Sequence, residues 1–394
     1  MATTVRPFPL EIVTEHQLRS LCKALWSWPD CEGCCDDKPC ASKDCPFKRT
    51  KRLGRFFEYY KDVIATHEPD AKTGEGIGAL TCHEDLFKII VLLKTFPELT
   101  RAQIRSQIFK NRKAADEEGA IDIAVKIMVM VNCSADLQST SSLQDRVGWP
   151  NDICFSQFVS SLFPIPTDNP RVNEDDEEKD LEKGVDIKGA LLAKKLRKHA
   201  GLIFQPTDDL RCHLRLNKKN GILEVYHHTS FLKEHLRLTK DEPRNSSLEE
   251  SLRLGALPRQ VALEILDSIQ KILFPRTDKK SSKILDSLTA TQGFDPDCCR
   301  FESANIRTAN EKDIQYNYFG ARLAELYNEL ENPTPRGMER WFQRKSGARY
   351  MMMATLVGVL IAIILGMASL AISGYQAWLG YQQWQHPITP PSSG

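Results

Sequence analysis

The sequence contains no Gly-x-x-x-x-Gly-Lys-Ser/Thr, no His-Glu-x-x-His and no Gly-x-Ser-x-Gly, so the phosphate-cradling loop, the zinc-protease helix and the nucleophile elbow are all missing. Net charge is missing too: 53 Lys and Arg stand against 52 Asp and Glu, leaving +1, which disfavours a chain drawn to nucleic acid by its overall field. The opening residues, MATTVRPFPLEIVTEHQ, hold no apolar stretch of the kind a cleavable secretory signal needs. No Asp, Glu, Lys or Arg occurs after Arg349.

The residues just beyond Arg349 are the most informative in the chain. Met351 to Ser373, MMMATLVGVLIAIILGMASLAIS, is 23 residues without a charge. As a helix it would extend ~34 Å, against a bilayer hydrocarbon core of roughly 30 Å, and it predicts one transmembrane helix over 351–373. Arg336, Arg340, Arg344, Lys345 and Arg349 precede the span with only Glu339 among them, so the positive-inside tendency places the N-terminal side in the cytosol. Arg340, Arg344, Lys345, Arg349 and Tyr350 are the expected near-interface residues. Tyr375, Trp378, Tyr381 and Trp384 are the expected anchors of the far one. The arrangement is that of a tail-anchored protein of an intracellular membrane, with the endoplasmic reticulum the favoured location. Ala354, Gly358, Ala362 and Gly366 recur every four residues, a small-residue ridge that would let two such helices pack as a homodimer.

The remainder, 27% charged and 41% hydrophobic over the whole chain, reads as globular and mainly α. Residues 166–186 carry Glu174, Asp175, Asp176, Glu177, Glu178, Asp180 and Glu182, a self-repelling run that reads as a linker. It divides a helical domain, 1–165, from an α-rich domain, 187–335. A basic juxtamembrane segment, 336–350, and a short non-cytosolic tail, 374–394, complete the expected organisation. Capping boxes are expected at Thr14 with Gln17, Thr81 with Glu84 and Thr100 with Gln103, opening helices near 14–28, 82–95 and 101–110. Two more are expected over 47–65 and 114–131. The second domain predicts helices near 187–200, 230–238, 258–273 and 310–331. One β-hairpin is expected over 210–228, turned by Asn220-Gly221.

Cysteine usage carries the strongest hint of chemistry. Cys22, Cys31, Cys34, Cys35, Cys40 and Cys45 are half of the twelve in the chain, and clustered thiols in a reducing compartment suit a metal better than disulfides. Cys31, Cys34, Cys40 and Cys45 could hold zinc as four thiolates, although the two pairs stand closer together than in an ordinary finger. Acylation and plain loop cysteines remain open. The following PheLysArgThrLysArg would place Lys48, Lys51, Arg52 and Arg55 on one helix face, suited to anionic lipid or an acidic partner or simply to solvent. A nucleic-acid-binding regulator using Cys31–Arg55 is the third-ranked reading. His213, His227, His228 and His235 gather around the hairpin without a spacing that fixes a metal. Gly74, Gly76 and Ala79 match a dinucleotide fingerprint but follow no strand-like segment.

The segments CEGCCDDKPC, FKRTKR, LTRAQIRSQIF, VNCSA, TDDLRCHL and LPRQVALEIL, with the terminal GYQAWLGYQQWQHP, resemble a filamentous-fungal family whose members carry a single C-terminal transmembrane anchor. The resemblance covers most of the chain. It implies a membrane protein and, because the family has no established activity, assigns no catalytic residue. The expectation is a membrane-anchored cytosolic interaction or scaffold module with an unidentified protein partner. A membrane-held metal enzyme, using the cysteine loop or the hairpin histidines, is the rival.

Overall fold

Two threonines open helices as their spacing predicts. In this computed structural model Thr14 accepts the backbone N–H of Gln17, whose side chain accepts the Thr14 N–H in return, and α1 (Glu15–Trp26) begins there. The structure describes residues 10, 12–31, 45–66, 79–109, 114–134, 146–164, 187–241, 248–302, 305–334 and 349–385. The basic PheLysArgThrLysArg belongs to a 3-10 turn, Pro46–Arg52, begun by a proline that cannot donate, and only then does α2 (Gly54–Ala65) start. The expected single helix over 47–65 is therefore two elements. At α3 (His83–Thr95) the expected Thr81–Glu84 box does not form: Cys82 is the N-cap, and Thr81 instead donates its N–H and hydroxyl to Asp85. Thr100 and Gln103 do form their box and open α4 (Arg101–Ile108).

The centre of this region is α5 (Ala114–Val129). From Ala120 to Val131 only Asp122 and Lys126 reach solvent even partly, the mark of a helix surrounded by others, and α2, α3 and α4 pack around it. Arg101 is fully buried beside it, pairing with Glu118 at 2.6 Å and Asp122 at 2.7 Å while its guanidinium lies over Trp149. A short parallel pair, β1 (Cys133–Ser134) and β2 (Val147–Gly148), and α6 (Phe155–Leu162) close that side.

Beyond residue 186 the expected helix over 187–200 is two pieces, α7 (Ile187–Ala190) and α8 (Ala193–His199). The expected hairpin is shorter than 210–228 and has a companion. Strands β3 (Ile203–Thr207), β4 (Arg215–Asn217) and β5 (Ile222–Tyr226) form a sheet in the order β3-β5-β4, with β3 parallel and β4 antiparallel to β5. Leu210–Cys212 is a 3-10 turn capped by Asp209, and Leu214, at φ +58, redirects the chain before β4. At the hairpin only Gly221 takes a positive φ. Asn220 instead donates its N–H to the Asn217 side chain.

Helices α9 (Thr229–Leu238), α10 (Leu248–Leu254), α11 (Arg259–Asp267), α12 (Lys279–Thr291) and α13 (Gly320–Glu331) complete this part. A π turn, Ser268–Leu273, extends α11. The residues before α13 are held by the buried Glu264, whose carboxylate accepts the backbone N–H groups of Asn317, Tyr318 and Phe319.

The segments on either side of 166–186, set apart in the sequence, share one core. Residues 1–333 are one compact unit, in which Phe231 of α9 meets Trp26 and Phe56 at ring separations of 5.7 and 5.0 Å. Arg49 grips Glu234 through Nε, at 2.9 Å to one oxygen and 3.1 Å to the other. Arg52 and Arg237 both reach Glu302. The linker residues themselves lie outside those described.

Residues 334–394 are the second unit. Its helix α14 spans Arg349–Gln385, longer at its C-terminal end than the apolar run. The described portion from Leu356 to Gln385 is exposed throughout, and its most apolar 18-residue stretch has a mean hydropathy of 2.6. Leu365 and Leu370, at 65% and 76% exposed, show the scale of apolar surface that an aqueous setting would leave bare.

Candidate functional site

Strand pairing builds the one cluster of metal-ligand type among the described residues. The parallel β3–β5 register sets Thr207 opposite Tyr226. One step further along each strand come Asp208 and His227, with His228 next. The donor atoms of Asp208, His227 and His228 lie within 4.8 Å of one another. Both Nε2 atoms approach a single oxygen, Asp208 Oδ1, at 3.2 Å from His227 and 2.7 Å from His228. The two rings lie 4.0 Å apart between centroids, tilted by 33°. His227 and His228 are buried, and the Asp208 side chain is 57% exposed, so the cluster opens outward through its carboxylate.

Proton positions decide what this cluster can do. The backbone N–H of Asp295 donates to His227 Nδ1 at 3.1 Å. An amide nitrogen offers only a donor, so Nδ1 is bare and the proton of the neutral ring sits on Nε2. His227 therefore gives its Nε2–H to Asp208 and has no lone pair there for a cation. Metal-ligating histidines show the reverse pattern, with the far nitrogen donating. His228 also addresses Asp208 through Nε2, while its Nδ1 has no partner. Burial, and then the neighbouring His227, push His228 down to about 4. Burial works to raise the Asp208 carboxyl, but the His227 and His228 hydrogen bonds outweigh it and hold the group well below the usual carboxylate range. The result is a carboxylate clamped by two imidazole N–H groups.

The other two hairpin histidines lie elsewhere. His213 accepts the Tyr226 N–H at Nδ1 (3.2 Å), so its Nε2–H donates to Ser268 Oγ (2.7 Å), and that hydroxyl donates to the Ile265 carbonyl (2.8 Å). This order of donors leaves His213 unable to act as a base on Ser268. Burial, and then Arg322, hold His213 neutral. His235 is buried against Gly255.

Of the four expected zinc ligands, Cys31 is half-buried and Cys45 buried, while Cys34 and Cys40 lie outside the described residues. Gly74 and Gly76 lie outside them too. In the basic stretch, Lys48 and Lys51 are exposed. Arg52 is committed to Glu302 and Arg55 to Glu58, at 2.7 Å. Arg340, Arg344 and Lys345 lie outside the described residues, and α14 begins at Arg349 and Tyr350. Tyr375, Trp378, Tyr381 and Trp384 are all exposed along α14. A Cβ added at Gly358 or Gly366 would meet nothing within 4 Å.

Sequence reasoning missed Asp208, whose only signal is its position after a strand that Pro206 disguises. It also missed an apolar groove of about 550 Å³ between α1 and α3, lined by Phe87, Val91, Leu92 and Phe96 together with Lys23 and Lys88. Comparison with protein-family models, with curated proteins and with solved structures finds no match to this chain.

Proposed function

We propose that this chain is a single-span, tail-anchored membrane protein whose helical region works on the cytosolic face as an interaction or scaffold module. The observation that carries the reading is α14: a helix with thirty consecutive exposed residues from Leu356 to Gln385, including an 18-residue stretch of mean hydropathy 2.6, suits a lipid environment and would burden a soluble one. The basic residues before Tyr350 and the uncharged sequence after it support a cytosolic N-terminal side. The endoplasmic reticulum is the membrane this reading favours. The groove between α1 and α3 supports the interaction role. Val91 and Phe96 are 47% and 44% exposed at its edge, and an apolar channel between helices is the form that receives a partner's amphipathic helix.

Carbonate extraction and glycan mapping test the anchor and its direction. The full chain should stay with the membrane at high pH. A glycosylation sequon appended after Gly394 should be modified, while the native sequons Asn132-Cys-Ser and Asn245-Ser-Ser stay bare. Glycans on either native asparagine would reverse the assignment. For the module, proximity labelling should recover a partner set with the native protein that a Val91→Asp/Phe96→Asp variant loses, with its folding checked by circular dichroism. An unchanged set would remove the groove from the reading.

A further inference from the structure

The apolar run stops at Ser373, but α14 continues for another twelve residues, Gly374 to Gln385. Four rings recur there at three-residue spacing. Each step of three turns the helix by ~300°, so successive rings are displaced by ~60° and all four fall within half of the circumference. Gln376, Leu379, Gly380 and Gln383 lie on the other half, and Gln382 and Gln385 share the half that bears the rings. The rings associate in two pairs, Tyr375 with Trp378 at 6.1 Å and Tyr381 with Trp384 at 6.5 Å. Trp384 is 79% exposed.

Length makes an upright course unfavourable for the second pair. With the apolar run centred on the bilayer at Ala362, a vertical helix puts Tyr375 ~20 Å from the midplane and Trp378 ~24 Å, near the headgroup limit of roughly 20–22 Å. Tyr381 and Trp384 then stand at ~28 and ~33 Å, out in water. A tilt of 40°, the upper end of what spanning helices adopt, still leaves Trp384 at ~25 Å. Tyr and Trp are suited to the boundary itself, where the ring is covered and its polar atom stays wet. Glycines at 374 and 380 have no atom within 4 Å of an added Cβ, and glycine weakens a helix interior.

We infer that in the membrane the Gly374–Gln385 segment turns at Gly374 and lies along the far headgroup layer, its ring-bearing half facing the bilayer. The inference rests on the proposed span. The segment carries no Asp, Glu, Lys or Arg, so it takes the phospholipid headgroup layer through its rings and without regard to lipid charge.

The full-length protein in phosphatidylcholine vesicles provides the test, with Trp378→Phe and Trp384→Phe variants used to isolate each indole's fluorescence by difference. Bromine-labelled lipids of graded depth should quench Trp384 to within twofold of Trp378, at a similar shallow depth. Quenching of Trp378 by lipid alongside quenching of Trp384 by aqueous iodide alone would overturn the in-plane course while leaving the span intact. Quenching of neither, with release by carbonate, would overturn both. Gly374→Leu with Gly380→Leu should lower lipid quenching of Trp384 severalfold without loss of membrane retention, and unchanged quenching would remove the turn. Replacing a fifth of the lipid by phosphatidylserine should leave Trp384 quenching unaltered, whereas a change above twofold would reject charge-independent binding.

Discussion

Gly255 lies against the imidazole of His235: a Cβ on the glycine would stand 2.1 Å from Cε1 and 2.3 Å from Nδ1. His235 is 1% exposed, so the ring has nowhere to retreat. Burial, and then Arg259, push it down to about 3, and it enters this contact uncharged. Gly255→Ala should therefore overpack the α9–α10 contact and cost about 1–3 kcal/mol. A thermal melt of the soluble region within a degree of the parent would show that the backbone at 255 yields freely.

The Asp208 clamp predicts a particular acid sensitivity. His228 has a folded value near 4 against about 6.5 for a free imidazole. Its depressed value means that its contribution is complete above pH 6.5 and lost as pH falls from there toward 4. Asp208, also depressed, contributes above about pH 4 and is lost below it. His228→Gln keeps an N–H for Asp208 but cannot titrate, so its stability should fall less steeply than the parent's between pH 6.5 and 4. Parallel denaturation curves at pH 7, 5.5 and 4.5 would reject the assignment.

Asp208→Asn tests the same clamp from the other side. The amide oxygen can still accept from both imidazole N–H groups, which share one oxygen of Asp208, but without the carboxylate charge both bonds weaken, at a cost of about 1–3 kcal/mol, toward the lower end because Asp208 is more than half exposed. Added zinc should not restore the loss. Zinc-dependent stabilisation of the parent, abolished by this substitution, would mean that His227 ligates after all.

For the cysteine segment the proposal is a closed zinc site on Cys31, Cys34, Cys40 and Cys45. The purified chain should then carry about one zinc and lose helicity on chelation. Metal-free protein with an unaltered circular dichroism spectrum would turn attention to acylation of Cys34 and Cys35.

Anchor pairing is the last of these tests. Gly358→Ile with Gly366→Ile would separate two helices packed along Ala354, Gly358, Ala362 and Gly366 while keeping insertion. Association of residues 336–394 in a bacterial-membrane two-hybrid assay should fall severalfold. Equal signals would leave the ridge a matter of composition.

The sequence was legible where local chemistry decided the outcome. Thr14 and Thr100 cap as their spacing requires because no nearby group competes, whereas at Thr81 the carboxylate of Asp85 takes both the hydroxyl and the N–H. The hairpin could be read from Asn220-Gly221, but β3 could not: Pro206 argues against a strand, and only the edge position tolerates it. The histidine cluster could not be read either, since Asp208 meets His227 through a parallel register set by long-range pairing. The long apolar helix α14 was plain because composition alone specifies it.

The shared core around Phe231 also changes what the acidic run means. Trp26, Arg49, Arg52 and Phe56 on one side of residues 166–186 hold Phe231, Glu234 and Glu302 on the other through ring contacts and ion pairs. Cleaving one peptide bond between 166 and 186 leaves every one of these contacts in place. The run therefore joins complementary fragments rather than independent modules, and a nicked chain should travel as a single particle until denatured.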